Sequence, residues 1–344
     1  MKILLTGGVG FLGTNIATLA LQRGHKVVAF DNLIRPGVET NILKHNDYEI
    51  VRGDVRNPED FLRIPDDVDG ICHLAANPGV PWSFAYPKYD YNVNNGGTFN
   101  VLEYAREHGN LPVIYASTNK CYSEIVNTIP VEEKRTRYVY SEEKYKKGIN
   151  EKFPIDGYGD WGHSPYGVSK LSGDLMCQEW FHAFGVPTVV NRMSCLYGKY
   201  QFGVTDQGWM AWFVIAKIMG IPLTFFGDGK QVRDALYGTD IARLYIMELE
   251  HIKKFKGKVF NVGGGMNNTV SLLEAIELID LIDRGRHTPF RIKYGDWRMS
   301  DHKCYISDIS KIEKYWEPEV NVGLGLRKTY DWVLSNKELI KRYL

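Results

Sequence analysis

Cysteine is sparse in this sequence and forms no pattern. Among 344 residues only five are cysteines, scattered as Cys72, Cys121, Cys177, Cys195 and Cys304. The absence of any C-x-x-C pair argues against a structural zinc site and against a disulfide framework. We therefore expect no metal and a reducing, cytoplasmic environment.

An excess of one charge and long apolar runs are also lacking. The 42 Lys and Arg residues nearly balance the 41 Asp and Glu residues, for a formal net charge of +1. Nucleic acid is therefore not expected as a partner. No run approaches the roughly 20 apolar residues that cross a bilayer, so no membrane partner is expected either. The chain enters a glycine turn soon after Met1, so we expect no signal peptide. It contains no internal repeat.

Short apolar runs alternate with helical patterns over roughly the first 115 residues, which predicts βαβ units and a parallel sheet. Strands are predicted at 2–5, 26–30, 48–52, 70–74, 112–115 and 186–191, and helices at 12–23, 97–108 and 166–184. The polar stretch 123–163 has no regular period, and from about residue 199 the pattern indicates short helices and loops. We predict an α/β fold with a Rossmann-type doubly wound parallel sheet in 1–190, an insertion at about 123–163, and a smaller C-terminal α/β domain in 191–344 whose chain crosses back to the first.

A glycine motif, Gly7-x-x-Gly10-x-x-Gly13, lies between the first predicted strand and helix. In this context the first glycine permits a tight turn, the second lets the backbone approach a pyrophosphate, and the third lets helix and strand pack closely. The free N–H groups of the helix N-terminus then face the phosphates. A glycine turn without a ligand is the alternative.

Asp31 favours the dinucleotide interpretation. It ends the second predicted strand, about 20 residues beyond the loop, where a carboxylate accepts hydrogen bonds from ribose hydroxyls. Its charge would repel a 2′-phosphate, which favours NAD over NADP. Arg35 is close in sequence, and its positive charge would oppose this preference. Asp54 follows the third strand and is a candidate for the adenine amino group; a plain turn residue is the alternative.

Tyr166 and Lys170 are four residues apart and share a helix face. A phenol has a pKa near 10 and is a poor base, but a neighbouring ammonium and a nicotinamide charge favour the phenolate. Thr118, at the end of a strand, could hydrogen-bond a substrate hydroxyl. These three residues predict a base, an electrostatic partner and an orienting group for hydride chemistry. The alternative is a half-buried Tyr over a solvated Lys, but Pro165 places the tyrosine in the first helical turn.

Together these residues resemble the extended short-chain dehydrogenase/reductase family, whose members act on nucleotide sugars. The resemblance covers essentially the whole chain. Its landmarks are Thr6–Gly13, Asp31–Leu33, His73–Ala76, Asn94 ahead of Gly97-Thr98, Ser164–Lys170, Gly227–Asp234 with Asp240, and Asn261–Gly264.

The resemblance implies catalytic roles for Thr118, Tyr166 and Lys170, and a domain in 191–344 that mainly holds the nucleotide sugar. It implies an NAD site formed by Gly7, Gly10, Phe11, Leu12, Gly13, Asp31, Asn32, Arg35, Asp54, Val55, Leu74, Ala75, Ala76, Asn94, Ser117, Tyr166 and Lys170. It implies substrate contacts from Thr118, Asn119, Ser194, Gln201, Gln207, Arg233, Arg298 and Asp301. Alternative roles are a salt bridge of Arg233 with Asp234 or Asp240, and no substrate role for Arg298.

Within the family, three stretches most resemble the CDP-tyvelose 2-epimerases, also called CDP-paratose 2-epimerases: 116–122, 192–198 and the Gln201-Phe202…Asp206-Gln207-Gly208-Trp209 segment. Ser123 and Cys195 depart from the family pattern. The implied reaction is transient oxidation at carbon 2 of a CDP-hexose and re-reduction from the other face. A 4-epimerase of the UDP-glucose or UDP-glucuronate type is the alternative, and a non-catalytic NAD-binding module is a third.

Two helices that pair across a dimer interface in relatives correspond to 97–108 and 166–184 here. The resemblance therefore implies a homodimer. A 4,6-dehydratase is disfavoured, because it needs an acid pair after the threonine, where this chain has Asn119 and Lys120.

Overall fold

The computed structural model describes all 344 residues. Its strands are β1 (Lys2–Thr6), β2 (Lys26–Asp31), β3 (Tyr48–Arg52), β4 (Gly70–His73), β5 (Val113–Thr118), β6 (Val131–Glu133), β7 (Tyr138–Tyr140), β8 (Thr188–Met193), β9 (Cys195–Tyr197), β10 (Leu223–Phe226), β11 (Val232–Tyr237), β12 (Lys258–Val262), β13 (Thr269–Ser271), β14 (Ile292–Gly295) and β15 (Cys304–Tyr305). Its helices are α1 (Phe11–Gln22), α2 (Val80–Ala85), α3 (Pro87–Tyr91), α4 (Gly97–Glu107), α5 (Ser164–Phe184), α6 (Trp209–Met219), α7 (Gly238–Glu250), α8 (Ile252–Phe255), α9 (Leu272–Asp283), α10 (Val322–Ser335) and α11 (Lys337–Lys341). No helix is both long and apolar enough to span a membrane.

The chain divides into two compact units. The first comprises Met1–Cys121, Ser164–Arg192 and Ile241–Phe260, and the second comprises Tyr122–His163, Met193–Asp240 and Asn261–Leu344. The polar stretch that the sequence sets apart as an insertion belongs to the second unit.

A seven-stranded sheet forms the centre of the first unit, in the order β12-β8-β5-β4-β1-β2-β3. The strands from β3 through β2, β1 and β4 to β5 are parallel, as predicted. Because the strand order reverses between β1 and β4, the carboxyl ends of these strands form the edge where α/β sheets bind ligands. That edge carries the glycine turn after β1, Asp31 at the end of β2 and Thr118 at the end of β5.

Two predicted strands differ from the observed ones by more than one residue at an end. β5 continues to Thr118 rather than stopping at Tyr115, so Ser117 and Thr118 lie in the sheet. The strand predicted at 186–191 is displaced to Thr188–Met193. The reason is local: the Val186 N–H is used in a turn, where it donates to the Trp180 carbonyl at 3.2 Å, and Pro187 has no N–H to donate.

In the second unit, β11 pairs with β9, β13 and β15, and β10 pairs with β14. The apolar core lies around α6, α9 and α10, and includes Phe213 stacked on Phe225 at 5.4 Å between ring centroids. Four helices of 11 to 14 residues lie in the region where the sequence indicated only short helices. Nine of the eleven residues of α6 are buried, so this helix has no polar face to reveal its period.

Candidate active site

Tyr166 and Lys170 lie in the first turns of α5, on one face of the helix as predicted. The N-terminal end of this helix is fixed locally, because the Ser164 hydroxyl accepts a hydrogen bond from the Gly167 N–H at 3.1 Å. Thr118 at the end of β5 lies close enough to the phenol of Tyr166 to lower its pKa, and its hydroxyl donates to Asn119 Oδ1 at 3.3 Å. The Thr118 hydroxyl also accepts the Lys120 N–H at 3.3 Å. The structure thus brings the three predicted catalytic side chains together.

The ammonium of Lys170 is enclosed but unpaired. Its side chain is 2% exposed, and Nζ lies 4.3 Å from the centroid of the Tyr115 ring. The Tyr115 hydroxyl donates to the Lys170 carbonyl at 3.2 Å, which fixes the ring beneath the amine. No carboxylate lies within ion-pair distance of Nζ, so its three N–H donors are available to a ligand.

Burial shifts both titrating groups of this cluster. It raises the pKa of Tyr166 to about 12, although the nearby Thr118 hydroxyl opposes that shift. Burial also lowers the pKa of Lys170 to about 8. At neutral pH the lysine is therefore charged and the phenol neutral. A cation bound beside the phenol would favour the phenolate.

The glycine turn forms a cradle that side chains would fill. Gly7 has φ +69°, and a Cβ there would lie 2.8 Å from the Ala75 nitrogen. A Cβ at Gly13 would lie 2.6 Å from the Gly8 Cα. The following helix α1 has no side-chain cap and no acidic residue in its first turn. Its free N–H groups fit a diphosphate, so the turn fits the cofactor predicted from the sequence.

Asp31 connects β2 to this turn. Its carboxylate accepts the Val9 N–H at 3.0 Å and the Leu33 N–H at 2.9 Å. Burial raises the pKa of Asp31, and the two backbone bonds oppose the shift. Asn32 follows and donates to Asp54 at 2.8 Å, while Arg35 is exposed in the next loop.

Asp54 is more heavily engaged than the sequence suggested. Arg56 binds it with two hydrogen bonds, of 2.9 and 2.7 Å, and also lies 5.0 Å from the centroid of the Tyr89 ring. Although burial opposes it, the hydrogen bond from Arg56 contributes to a lowered pKa of Asp54. Both carboxylate oxygens already have donors, so an adenine amino group would have to share them.

The other predicted cofactor residues line the same edge of the sheet. The Leu74 and Ala75 N–H groups donate to the Thr6 hydroxyl at 3.2 and 3.3 Å, which fixes the chain after β4. Asn94 is fully buried in a π-helical turn, Asn92–Gly96, and pairs with the backbone of Asn77 at 2.8 and 3.1 Å. Phe11, Leu12, Ala76, Val55 and Ser117 belong to the same unit.

Six predicted substrate residues lie in the second unit, whereas Asn119 follows Thr118 in the first. Both arginines of this set are paired with carboxylates. Arg233 binds Asp301, and Arg298 binds Asp206 at 2.6 Å while lying 3.8 Å from the centroid of the Phe226 ring.

The alternative partners considered for Arg233 are therefore wrong. Asp234 accepts a hydrogen bond from Ser194, and Asp240 accepts the Val320 N–H at 3.0 Å. Gln201 donates to the Leu196 carbonyl at 3.3 Å, and Gln207 forms a backbone bridge with Val204.

Sequence reasoning missed several polar residues around Lys170. Asp90, Asn77 and Ser169 form a buried hydrogen-bond network, and Asp174 forms a buried ion pair with Arg192. Spacing offered a partial signal, since Asp90 precedes Asn94 by one helical turn and Asp174 follows Lys170 by one turn. Spacing does not show which residues of other helices and strands form hydrogen bonds or ion pairs with Asp90 and Asp174.

The parallel sheet, the glycine turn and the Thr, Tyr and Lys cluster define a Rossmann-type enzyme of the short-chain dehydrogenase/reductase class. The family model described as GDP-mannose 4,6-dehydratase matches residues 4–329, and the chain belongs to this family.

A CDP-paratose 2-epimerase from Salmonella typhi is 37% identical over 348 residues, which cover 97% of this chain and 100% of that protein. The UDP-glucuronic acid 4-epimerase from Bacillus cereus, solved in complex with UDP-glucuronic acid and NAD, has a TM-score of 0.80 at 28% identity, over 97% of this chain and 99% of that one. The dTDP-glucose 4,6-dehydratase from Bacillus anthracis, solved in complex with NAD, has a TM-score of 0.79 at 27% identity over the full length of both chains. These similarities confirm the predicted family, the Rossmann-type α/β fold and the class of enzyme.

Proposed function

We propose that this protein is an NAD-dependent epimerase that inverts carbon 2 of a CDP-linked hexose of the CDP-paratose/CDP-tyvelose type. The observation that carries the redox part is that Thr118 lies beside the Tyr166 phenol, one helical turn from the buried, unpaired ammonium of Lys170. The support for carbon 2 is the 37% identity with a CDP-paratose 2-epimerase along the whole of both chains.

NAD would be held by the glycine turn and by Asp31, with Lys170 supplying free N–H donors. When bound, NAD supplies a hydride acceptor and, after reduction, a hydride donor. The Asp31 carboxylate accepts one backbone N–H on each oxygen, from Val9 and from Leu33. Each oxygen therefore retains a lone pair for a ribose hydroxyl. The same negative charge disfavours a cofactor with a 2′-phosphate.

The protein's part in the chemistry is proton transfer and orientation. The Tyr166 phenolate takes the proton of the hydroxyl on carbon 2, and the Lys170 ammonium stabilises this phenolate. Thr118 orients the same oxygen as it becomes a carbonyl. The 2-ketosugar then presents its other face, and the phenol returns the proton as the carbonyl is reduced.

Substrate recognition is assigned to the second unit. Arg233 and Arg298 would bind the diphosphate, because a guanidinium matches two phosphate oxygens at once. The residues after Thr118 disfavour a dehydratase, since Asn119 and Lys120 stand where such an enzyme needs an acid pair.

The test is a proton NMR time course of the purified protein with CDP-tyvelose in D2O, with UDP-glucose as the control substrate. CDP-paratose without deuterium at carbon 2 is expected, because the hydride stays inside the protein. Tyr166→Phe is the matched variant and should reduce turnover by about 10² or more without loss of NAD. Conversion of UDP-glucose to UDP-galactose with an inert CDP-sugar would assign the chemistry to carbon 4 instead.

A further inference from the structure

The buried charge of Lys170 requires a compensating charge in the protein. The side chain is 2% exposed, rests on the Tyr115 ring, and follows Tyr166 by one turn of α5. Removing an ammonium from water without a partner costs several kcal/mol in real proteins. Some nearby negative group therefore has to offset this cost if the lysine is to be charged.

Most titratable groups that face this ammonium are neutral. Burial lowers the pKa of His73 on β4 to about 3, so its ring carries no charge near pH 7. Burial raises the pKa of Tyr115 on β5 and of Cys177 on α5 well above their usual values, so both are protonated. Two carboxylates are left, Asp90 on α3 and Asp174 on α5.

Asp174 is already compensated. Arg192 binds both of its oxygens, with Nε at 2.9 Å and Nη2 at 3.1 Å, and both residues are buried. Ser117 and Gln178 donate two further hydrogen bonds to the same carboxylate, each at 2.7 Å. Since this pair is neutral as a whole, its net effect on the ammonium is small.

Asp90 has no such cation. It is 1% exposed, and its carboxylate accepts only from neutral groups: Ser169 Oγ at 2.6 Å, Asn77 Nδ2 at 2.8 Å and Asn94 Nδ2 at 3.1 Å. These donors stabilise an ionised carboxylate without neutralising it. Ser169 directly precedes Lys170 in the chain, so the hydrogen bond brings the carboxylate to the residue beside the lysine.

We propose that Asp90 is a positioning residue, the buried counter-charge that keeps the Lys170 ammonium charged beside Tyr166. Its electrostatic effect reaches both partners, since its negative charge raises the pKa of Lys170 and that of Tyr166. Only the consequence for turnover rests on the function proposed above; the charge relation does not.

The direct test follows Lys170 by NMR of protein labelled with ¹³C at lysine Cε, assigned by the signal that is lost in Lys170→Met. The wild-type signal should titrate at about 8. In Asp90→Asn the midpoint should fall by about 1 pH unit, because a buried negative charge that raises the pKa of Lys170 is removed. An unchanged midpoint in folded Asp90→Asn overturns the proposal.

Asn95→Ala is the matched control. Asn95 Nδ2 donates to Ser172 Oγ at 2.7 Å, which is a second bond between the π-helical turn and α5, without a charge. Its loss should leave the Lys170 midpoint in place. If this variant moves the midpoint as far as Asp90→Asn does, the effect is structural and Asp90 is not the counter-charge.

A reciprocal measurement covers the case in which Asp90→Asn does not fold. Lys170→Met keeps a side chain that a buried site tolerates, and coupling between two sites acts equally in both directions. One aspartate signal in ¹³Cγ-labelled protein should therefore titrate about 1 pH unit higher in Lys170→Met. The signal should also respond to Ser169→Ala, which identifies it as Asp90. If no aspartate midpoint moves, the proposal fails.

The pH profile of kcat/KM adds the functional test. Removing a negative charge lowers the pKa of both Lys170 and Tyr166, so both limbs of the profile should move to lower pH in Asp90→Asn. A lower rate with both limbs unmoved would contradict the proposal. If the wild-type protein turns over no nucleotide sugar, the proposed function fails, while the lysine titration still decides the role of Asp90.

Discussion

At the scale of single residues, local spacing identified the cluster around Tyr166 but not its surroundings. The interval from Tyr166 to Lys170 is one helical turn, which is legible in the sequence. The counter-charge of Lys170 comes from Asp90, 80 residues earlier in the chain, and nothing in the local pattern pairs the two. Contacts of this kind depend on the packing of helices against each other, which spacing alone does not specify.

The same limit applies to the arginines assigned to the diphosphate. The Arg298–Asp206 ion pair joins residues far apart in the sequence, and Asp206 occupies the guanidinium that the substrate would need. Both side chains are partly exposed, so the pair contributes no more than about 1 kcal/mol. If Arg298 binds the diphosphate as proposed, Asp206 competes with the diphosphate for its guanidinium.

Asp206→Asn should therefore bind CDP more tightly, by up to about fivefold, because the competing carboxylate is removed. Isothermal titration calorimetry with CDP at low and high salt measures the effect, which should shrink as salt increases. Glu132→Gln is the control, since Glu132 forms an exposed ion pair with Lys134 and belongs to no predicted site. Equal affinity of wild type and Asp206→Asn would argue against competition between Asp206 and the diphosphate for Arg298.

At the scale of elements, the turn from β1 to α1 was predictable, because three glycines at this spacing between a strand and a helix are typical of a dinucleotide-binding turn. The structure adds which glycine is enclosed by backbone on several sides and which has a single close neighbour. A Cβ at Gly13 would overlap the Gly8 backbone, whereas a Cβ at Gly10 would meet only the Gly7 oxygen at 3.2 Å.

Gly10→Ala should therefore lose less stability than Gly13→Ala and bind NAD at least about tenfold more weakly, because the methyl group stands where the pyrophosphate approaches. Gly13→Ala should lower the melting temperature instead, since its methyl group cannot fit. Differential scanning fluorimetry with and without NAD separates the two effects. Gly323→Ala is the control, with no contact closer than 3.6 Å, and should lower neither the melting temperature nor the NAD affinity. Undiminished NAD affinity in Gly10→Ala would argue against the turn as the pyrophosphate site.

The segment 123–163 shows what periodicity cannot supply. Its strands β6 and β7 have three residues each, too few to establish an alternating pattern. Their position depends on distant partners: the Tyr138 N–H donates to the Lys230 carbonyl at 3.0 Å, and Arg137 binds Glu274 in the capping box of α9. Strands this short form because residues distant in the sequence bind them, and a local pattern does not identify those residues.

At the scale of the whole molecule, the alternation of apolar runs sufficed for the fold class, since strands that alternate with helices pair in parallel. The pattern of apolar runs could not reveal which polar side chains are buried in the core, or how much their burial lowers the stability. Glu248 on α7 is fully buried in the first unit and has no cation partner. Its Oε2 accepts from Asn191 Nδ2 at 2.7 Å, while its Oε1 has no donor.

Burial raises the pKa of Glu248 to about 8, and the neighbouring Cys72 and Tyr245 are held neutral by burial as well. In the unfolded chain the carboxyl titrates near 4.5. Between these two values the folded protein retains a proton that the unfolded chain has released. The free energy of unfolding therefore falls as pH rises through this window, by up to about 1.4 kcal/mol per pH unit, and this contribution is constant above about pH 8.

Glu248→Gln should remove this dependence, because an amide keeps the shape and the acceptor of the protonated acid and never ionises. We expect the variant to match wild type near pH 5 and to have the higher melting temperature at pH 8, by several degrees. Scanning calorimetry across pH 5–9 measures the difference. Glu250→Gln is the control on the same helix: it removes exposed contacts with Arg23 and His25 and should not flatten the slope. If wild type and Glu248→Gln lose stability in parallel between pH 5 and 8, the carboxyl at 248 is ionised in the folded protein, and the unmatched Oε1 has found a donor other than its own proton.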